Sequence, residues 1–187
     1  MTVNEAILAR RTIRKFRQDS VDITQLQELV DLARVAPCSA NMQPLKYKLV
    51  TTGETDRVFP YLNWAVAIAP RGEPKPEERP TAYIVICVDT RIRPKNTDID
   101  VGIAAQTIAL AAWERGLGTC LMALHDKPGL TASLSLPEYV TPALGIALGY
   151  PAHSSEIYPM EDGQYRYHMT DDGNFHVPKR PLSEILL

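Results

Sequence analysis

The sequence predicts one compact domain that mixes helices with strands, and three observations carry that expectation. The chain has 187 residues, enough for one sizeable core and cramped for two at roughly 150 residues per domain. Tyr83 to Val88 is an almost unbroken run of apolar β-formers, the composition of a central strand covered on both faces. Val101 to Arg115 is apolar or small on most sides of a helical wheel, which suits a helix at the centre of the domain or at a subunit interface.

Taken in order, Asn4 is placed to cap a short helix carrying Ile7 and Leu8. Thr24 and Gln27 have capping-box spacing for a second helix with Leu26, Leu29, Val30 and Ala33 on one face, and Pro37 stops it. Ala36 to Pro44 is a loop between prolines, rich in small and amide side chains, and leads into a strand from Tyr47 to Thr51. A helix is expected over Thr55 to Leu62, then a short segment from Ala65 to Ala69 and an exposed excursion from Pro70 to Pro80. Asp98 or Asp100 caps the long helix, which Gly116 and Gly118 close. Gly118 to Leu124 then runs extended, with small residues first that let a bound ring approach the backbone. Lys127-Pro128 opens a helix to about Leu134, Pro142 to Pro151 reads as a buried strand, and Tyr165–Met169 with Asn174–Val177 flank Asp171-Asp172-Gly173 as a small hairpin. No internal repeat or long linker divides the chain, so residues 1–187 are read as a single domain.

Composition narrows the function. A formal net charge of -2 argues against a general nucleic-acid binder, which carries a basic excess over one face. Cys38, Cys87 and Cys120 are odd in number and widely spaced, so a reducing compartment is expected, without disulfide framework or zinc site. No apolar run reaches the roughly 18 residues of a membrane span. A soluble, cytoplasmic protein is the expectation. Gly116-Leu117-Gly118 lacks the third glycine of a dinucleotide fingerprint, no P-loop or nucleophile elbow is present, and the four histidines have no metal-ligand spacing.

Against that plain background the local charge of Arg10, Arg11, Arg14 and Lys15, with the hydroxyl of Thr12 among them, is conspicuous. Like charges so close repel unless an anion neutralises them, which points to a phosphate site. A helix C-terminus accounts for part of the cluster, since cations are stabilised there. Lys179 and Arg180 form a second basic point near the other terminus.

Taken together and in order, these pieces resemble the nitroreductase family of flavin-dependent oxidoreductases. Arg10-Arg11-Thr12-Ile13-Arg14-Lys15-Phe16 looks like its N-terminal motif, and Ala36-Pro37-Cys38-Ser39-Ala40-Asn41-Met42-Gln43-Pro44 like its Ala-Pro-Ser-x-x-Asn-x-Gln-Pro loop. Asp100 to Gln106 opening a long helix, Gly116 to Cys120 ending it, and Lys179-Arg180-Pro181-Leu182 are similar in kind and order. The resemblance implies an α+β fold, with a mixed, mostly antiparallel central sheet flanked by helices. It also implies a homodimer with two FMN sites at the interface. Arg10, Arg11, Thr12, Arg14, Lys179 and Arg180 would come from one subunit, and Cys38, Ser39 and Asn41 from the other. Gln43 or Asn41 would bond the polar rim of the ring, backbone around Met122 and Ala123 would lie near its N5 and O4 edge, and Arg14 would tune it.

The implied reaction is ping-pong hydride transfer from NADH or NADPH through flavin N5 to a small-molecule acceptor such as a nitro compound or quinone, with no acid–base dyad, nucleic acid or membrane partner. Reductive dehalogenation, azoline oxidation and flavin destruction are the alternatives on the same fold, and a non-catalytic anion- or nucleic-acid-binding module is a third. Cys38 departs from the usual serine, 51–81 is short and proline-rich, and 154–177 lies outside the general motif; substrate choice is expected to reside in those two segments.

Overall fold

The computed structural model describes residues 1–65, 68 and 72–187. Its order is α1 (Val3–Ala9), α2 (Ile23–Arg34), β1 (Leu45–Val50), β2 (Ala82–Asp89), α3 (Asp98–Glu114), β3 (Gly118–Met122), α4 (Lys127–Ser133), β4 (Val140–Gly149), β5 (Ser155–Pro159), β6 (His168–Met169), β7 (Phe175–Lys179) and α5 (Leu182–Ile185). The central sheet runs β1-β2-β4-β3 with every pair antiparallel. Its register sets Leu49 opposite Ile84 and Tyr83 opposite Ala147, and it shifts between Ile86 and Cys87, where Cys87 faces Pro142. Proline has no N–H to give to a ladder, so a bulge is the natural outcome there.

Side chains alternate across this sheet and build a core on each face. Ile84, Ile86, Ile146 and Leu148 pack with Leu26 and Leu29 of α2 and Ala105 and Ile108 of α3. Tyr83, Val85, Cys120 and Met122 pack with Ile13, Phe16, Phe59 and Leu130. Both faces being covered is why β2 is buried along its whole length and reads as a continuous apolar run rather than an alternating one. The fold is therefore α+β, with helices on an antiparallel sheet.

Several local expectations move. The cap of α1 is Thr2 in a reciprocal box with Glu5, not Asn4, and that of α2 is Asp22 with Gln25, not Thr24 with Gln27. In α2 the spacing is as expected but two residues early, because the Asp22 carboxylate takes the Thr24 amide at 2.7 Å. Neither Asp98 nor Asp100 caps α3; Thr97 occupies that position without a side-chain bond. The expected helix over 55–62 is two single 3₁₀ turns, Thr55–Arg57 and Phe59–Tyr61. Of the segment 65–69, residues 66, 67 and 69 lie outside the described residues, as do 70 and 71 of the expected excursion. The remainder of that excursion is not wholly exposed: Glu78 accepts the Phe16 amide at 2.8 Å through its carbonyl, and Pro74 and Pro80 are buried.

Two features position the site. Residues 12–16 run beside β3 at the sheet edge, with Thr12 bridged in parallel to Thr119 and the Ile13 amide donating to the Thr119 carbonyl at 2.9 Å. The expected hairpin around Asp171-Asp172-Gly173 is present as β6 and β7, and β5, which was not anticipated, adds in parallel to β7 to give a small sheet β5-β7-β6. That sheet docks on the arginine segment.

Candidate functional site

The four clustered cations have four different fates. Arg11 caps the end of α1, donating to the carbonyls of Arg10 and Leu8, as the helix-terminus explanation requires. Lys15 is paired with Glu78 at 3.3 Å. Arg10 forms no ion pair among the described residues; burial, and then the like charge of Arg11, holds its guanidinium below the ordinary arginine value. An anion beside it would relieve both effects.

Arg14 is the most constrained. Its backbone amide donates to Nε2 of His153 at 2.9 Å. Its guanidinium carbon lies 4.4 Å from the Tyr167 ring centroid and 5.0 Å from that of Phe175. Its Nη1 is buried and has no hydrogen-bond partner, and the buried hydroxyl of Thr119, opposite Thr12, is in the same condition. Because His153 Nε2 accepts, the ring is neutral with its proton on Nδ1, which donates to the Ser154 carbonyl at 2.7 Å. Burial, opposed by that carbonyl and assisted by Arg14 and Lys15, keeps the imidazole below its ordinary value.

The proline-bracketed loop is built differently. Ala40, Asn41 and Gln43 all have φ of 52°, a left-handed conformation that only asparagine of the three adopts readily. Such strain persists when surrounding bonds over-determine it, and here they do. Asn41 N donates to Cys38 O at 2.9 Å, Gln43 N to Cys38 Sγ at 3.3 Å, and Gln43 Nε2 to Asn41 O at 3.0 Å. Asp100, 3 % exposed, accepts the Ser39 amide at 3.0 Å and Arg93 at 3.3 Å. The aspartate expected as a helix cap thus fastens this loop to α3. A cavity of about 310 Å³ lies beneath it, lined by Cys38, Gln43, Tyr47 and Asp100 among others.

The loop meets α3 at its first turn, whereas the arginine segment meets β3 directly after the last turn of α3. With 17 residues in the helix, the two halves stand roughly 20 Å apart within one chain. Met122 is buried beneath the sheet and Ala123 is exposed after it. Lys179 ends β7 and Arg180 pairs with Glu184 at 2.8 Å; among the described residues no hydrogen bond or ion pair joins either to Arg10 or Arg14. The structure therefore gathers Arg10, Arg11, Thr12 and Arg14 in one place and Cys38, Ser39, Asn41 and Gln43 in another. It adds His153, Tyr167 and Phe175, which no local pattern marks because their contacts with Arg14 are long-range.

The comparisons with known proteins converge. A model described as "Nitroreductase family" matches residues 7–150. A Methanothermobacter thermautotrophicus protein, provisionally named NADH dehydrogenase/NAD(P)H nitroreductase, is 32% identical over 160 residues, covering 82% of this chain and 80% of its own. A Bacillus subtilis protein named FMN reductase (NADPH) is 27% identical over 186 residues, covering 88% and 72%. Among solved structures, a Desulfovibrio desulfuricans protein, provisionally called a nitroreductase and crystallised in complex with FMN, superposes with a TM-score of 0.64 at 20% identity, covering 100% of this chain and 96% of that one.

Proposed function

The chain belongs to the nitroreductase family, and from that premise we propose that it is an FMN-dependent oxidoreductase drawing on NADH or NADPH and serving an electron-poor small molecule. When bound, FMN supplies the chemistry by accepting a hydride at N5 and passing the electrons on to a nitro compound, quinone or similar acceptor in a ping-pong cycle.

The observation that carries this reading is the Arg14 guanidinium, held against Tyr167 and Phe175 with no acidic partner among the described residues and with its Nη1 buried and unpartnered. A guanidinium without an acceptor is unfavourable once desolvated, and a flavin ring edge meeting the part-exposed side of Arg14 supplies one. Arg14 then favours negative charge at the N1 and O2 side of the ring. Arg10, desolvated and crowded by Arg11, is suited to hold the phosphate bidentately, with Thr12 as a hydroxyl donor and Lys179 and Arg180 as further cations. Met122 and Ala123 contribute backbone near N5 and O4.

The second half of the site comes from a second copy of the chain. Cys38, Ser39, Asn41 and Gln43 sit at the far end of α3 from Arg14, too distant to close over the same ring. A homodimer also covers apolar side chains that the single chain leaves open, among them Val3, Ile7 and Leu8 on α1, Ile99 on α3 and Leu121 on β3.

Titration of the purified protein with FMN tests the assignment. Quenching of flavin fluorescence, a stable yellow complex and parallel-line initial-rate patterns for nicotinamide and quinone are expected. A protein that stays colourless and leaves the fluorescence unchanged contradicts it, and bleaching of bound FMN by reduced nicotinamide points to flavin destruction instead.

A further inference from the structure

The family match ends at residue 150, yet among the described residues the side chains that hold Arg14 lie beyond it. Tyr167 and Phe175 present ring faces to the guanidinium at 4.4 and 5.0 Å, and His153 takes the Arg14 amide at 2.9 Å. Phe175, wholly buried, also carries the His153 ring on its surface, centroid to centroid 4.6 Å. The Phe175 amide is fixed to Ser154 O at 3.1 Å, and the Ser154 amide to Asn174 Oδ1 at 2.9 Å. Backbone and side chain of one arginine are therefore gripped together by Phe175 of β7 and by His153 and Tyr167, which lead into β5 and β6.

Resting on the reading that Arg14 faces the flavin ring, we propose that Tyr167, Phe175 and His153 are positioning residues that pre-order Arg14 for that ring. Aromatic faces hold a guanidinium without consuming its N–H groups, and Arg14 stays part-exposed with no side-chain hydrogen bond among the described residues. An arginine side chain has many rotamers, and ordering it in advance removes that loss from the binding step. The segment 153–175 thus tunes affinity for the flavin and the redox poise of the site, without itself touching phosphate.

The test compares Y167L, which fills the space without a π face, with Y167F, which keeps one, and with R14A and the Y167L/R14A double variant. The readouts are the FMN dissociation constant and the midpoint potential of the flavin in the holoprotein, with thermal unfolding as the check on folding. Y167L is expected to weaken FMN binding about threefold to tenfold and to move the potential in the same negative direction as R14A. Y167F should stay near wild type, and the double variant should be no worse than R14A alone. If R14A shifts the potential while Y167L does not, or if the Y167L effect persists undiminished without Arg14, the positioning role is overturned and the flavin reading stands. If R14A changes neither readout, or the wild type takes up no FMN, the placement of Arg14 at the ring fails and the positioning role falls with it. Should Y167L not fold, H153A, which removes the acceptor of the Arg14 amide, is read in the same way on the same two quantities.

Discussion

Nε2 of His153 and the backbone amide of Arg14 meet at 2.9 Å across 139 residues of sequence, joining the start of the C-terminal segment to the middle of the basic motif. The bond exists only while the ring is neutral, because a protonated Nε2 would direct a hydrogen at the Arg14 N–H.

Stability is consequently expected to fall in mild acid. Burial, with Arg14 and Lys15, holds the His153 imidazole below its ordinary value in the folded chain. The unfolded chain therefore takes up a proton first, near the ordinary value of about 6.5, and binds more protons than the native state below it. The native state is unaffected above that pH and loses stability as pH drops through it. Denaturant midpoints measured from about pH 8 down to pH 5 should decline in the wild type and decline less in H153Q, which keeps an acceptor and has nothing to titrate.

Removing Asp100 should loosen the strained loop. D100A leaves the Ser39 amide and Arg93 without their acceptor, and the loss of a buried hydrogen-bonded charge amounts to about 3 kcal/mol. D100N retains an oxygen for Ser39 and should be milder. Chemical denaturation gives the stability, and FMN titration of each variant should show weaker binding in the same order, since Cys38, Ser39 and Asn41 are held through this contact.

Gly118 is fixed by space rather than by conformation. A Cβ there would stand 2.6 Å from Cγ1 and 2.7 Å from Cβ of Ile13, so G118A must push the 12–16 segment away from β3. Overpacking of this kind lowers stability by about 1–3 kcal/mol. Displacement of Thr12 and Arg14 should also raise the FMN dissociation constant, and calorimetry with flavin titration checks both.

The basic motif should divide by function. R10A is expected to weaken FMN binding by tenfold or more on the scale of a lost charge-assisted contact of about 1.5–3 kcal/mol, with little change in potential, and K179A to act in the same sense if Lys179 reaches the phosphate. R14A should move the potential. K15A should leave FMN affinity within about twofold, because Lys15 is committed to Glu78 and such pairs contribute little to anything beyond themselves. Equilibrium titration and potentiometry of the four variants separate these outcomes.

The elements best read from sequence were those whose signals are local. β2 carries its own hydrophobic run, α3 its own small-residue composition, and the turn at Gly173 its own left-handed φ of 85°. Cap positions slipped by two residues because Thr2 and Asp22 offered equally good local chemistry, and β5 went unseen because Ser155–Pro159 becomes a strand only by pairing with β7. The family motifs were legible as strings, and that was enough for the fold and the cofactor class. The fate of each cation in them was not, since it depends on Glu78 for Lys15 and on Tyr167 and Phe175 for Arg14.

What the sequence by itself determined, then, is helices on a sheet with an anion-seeking motif near one end and a proline-bracketed polar loop after the second helix. Periodicity and charge density are properties of neighbours along the chain, and they survive without knowledge of the fold. Only the tertiary structure decided that the motif lies along the edge of β3, that the loop sits at the opposite end of α3, and that Tyr167, Phe175 and His153 of the C-terminal segment hold Arg14. Those relations are contacts between residues distant in sequence, and they are set by how two buried faces of one sheet are covered at once.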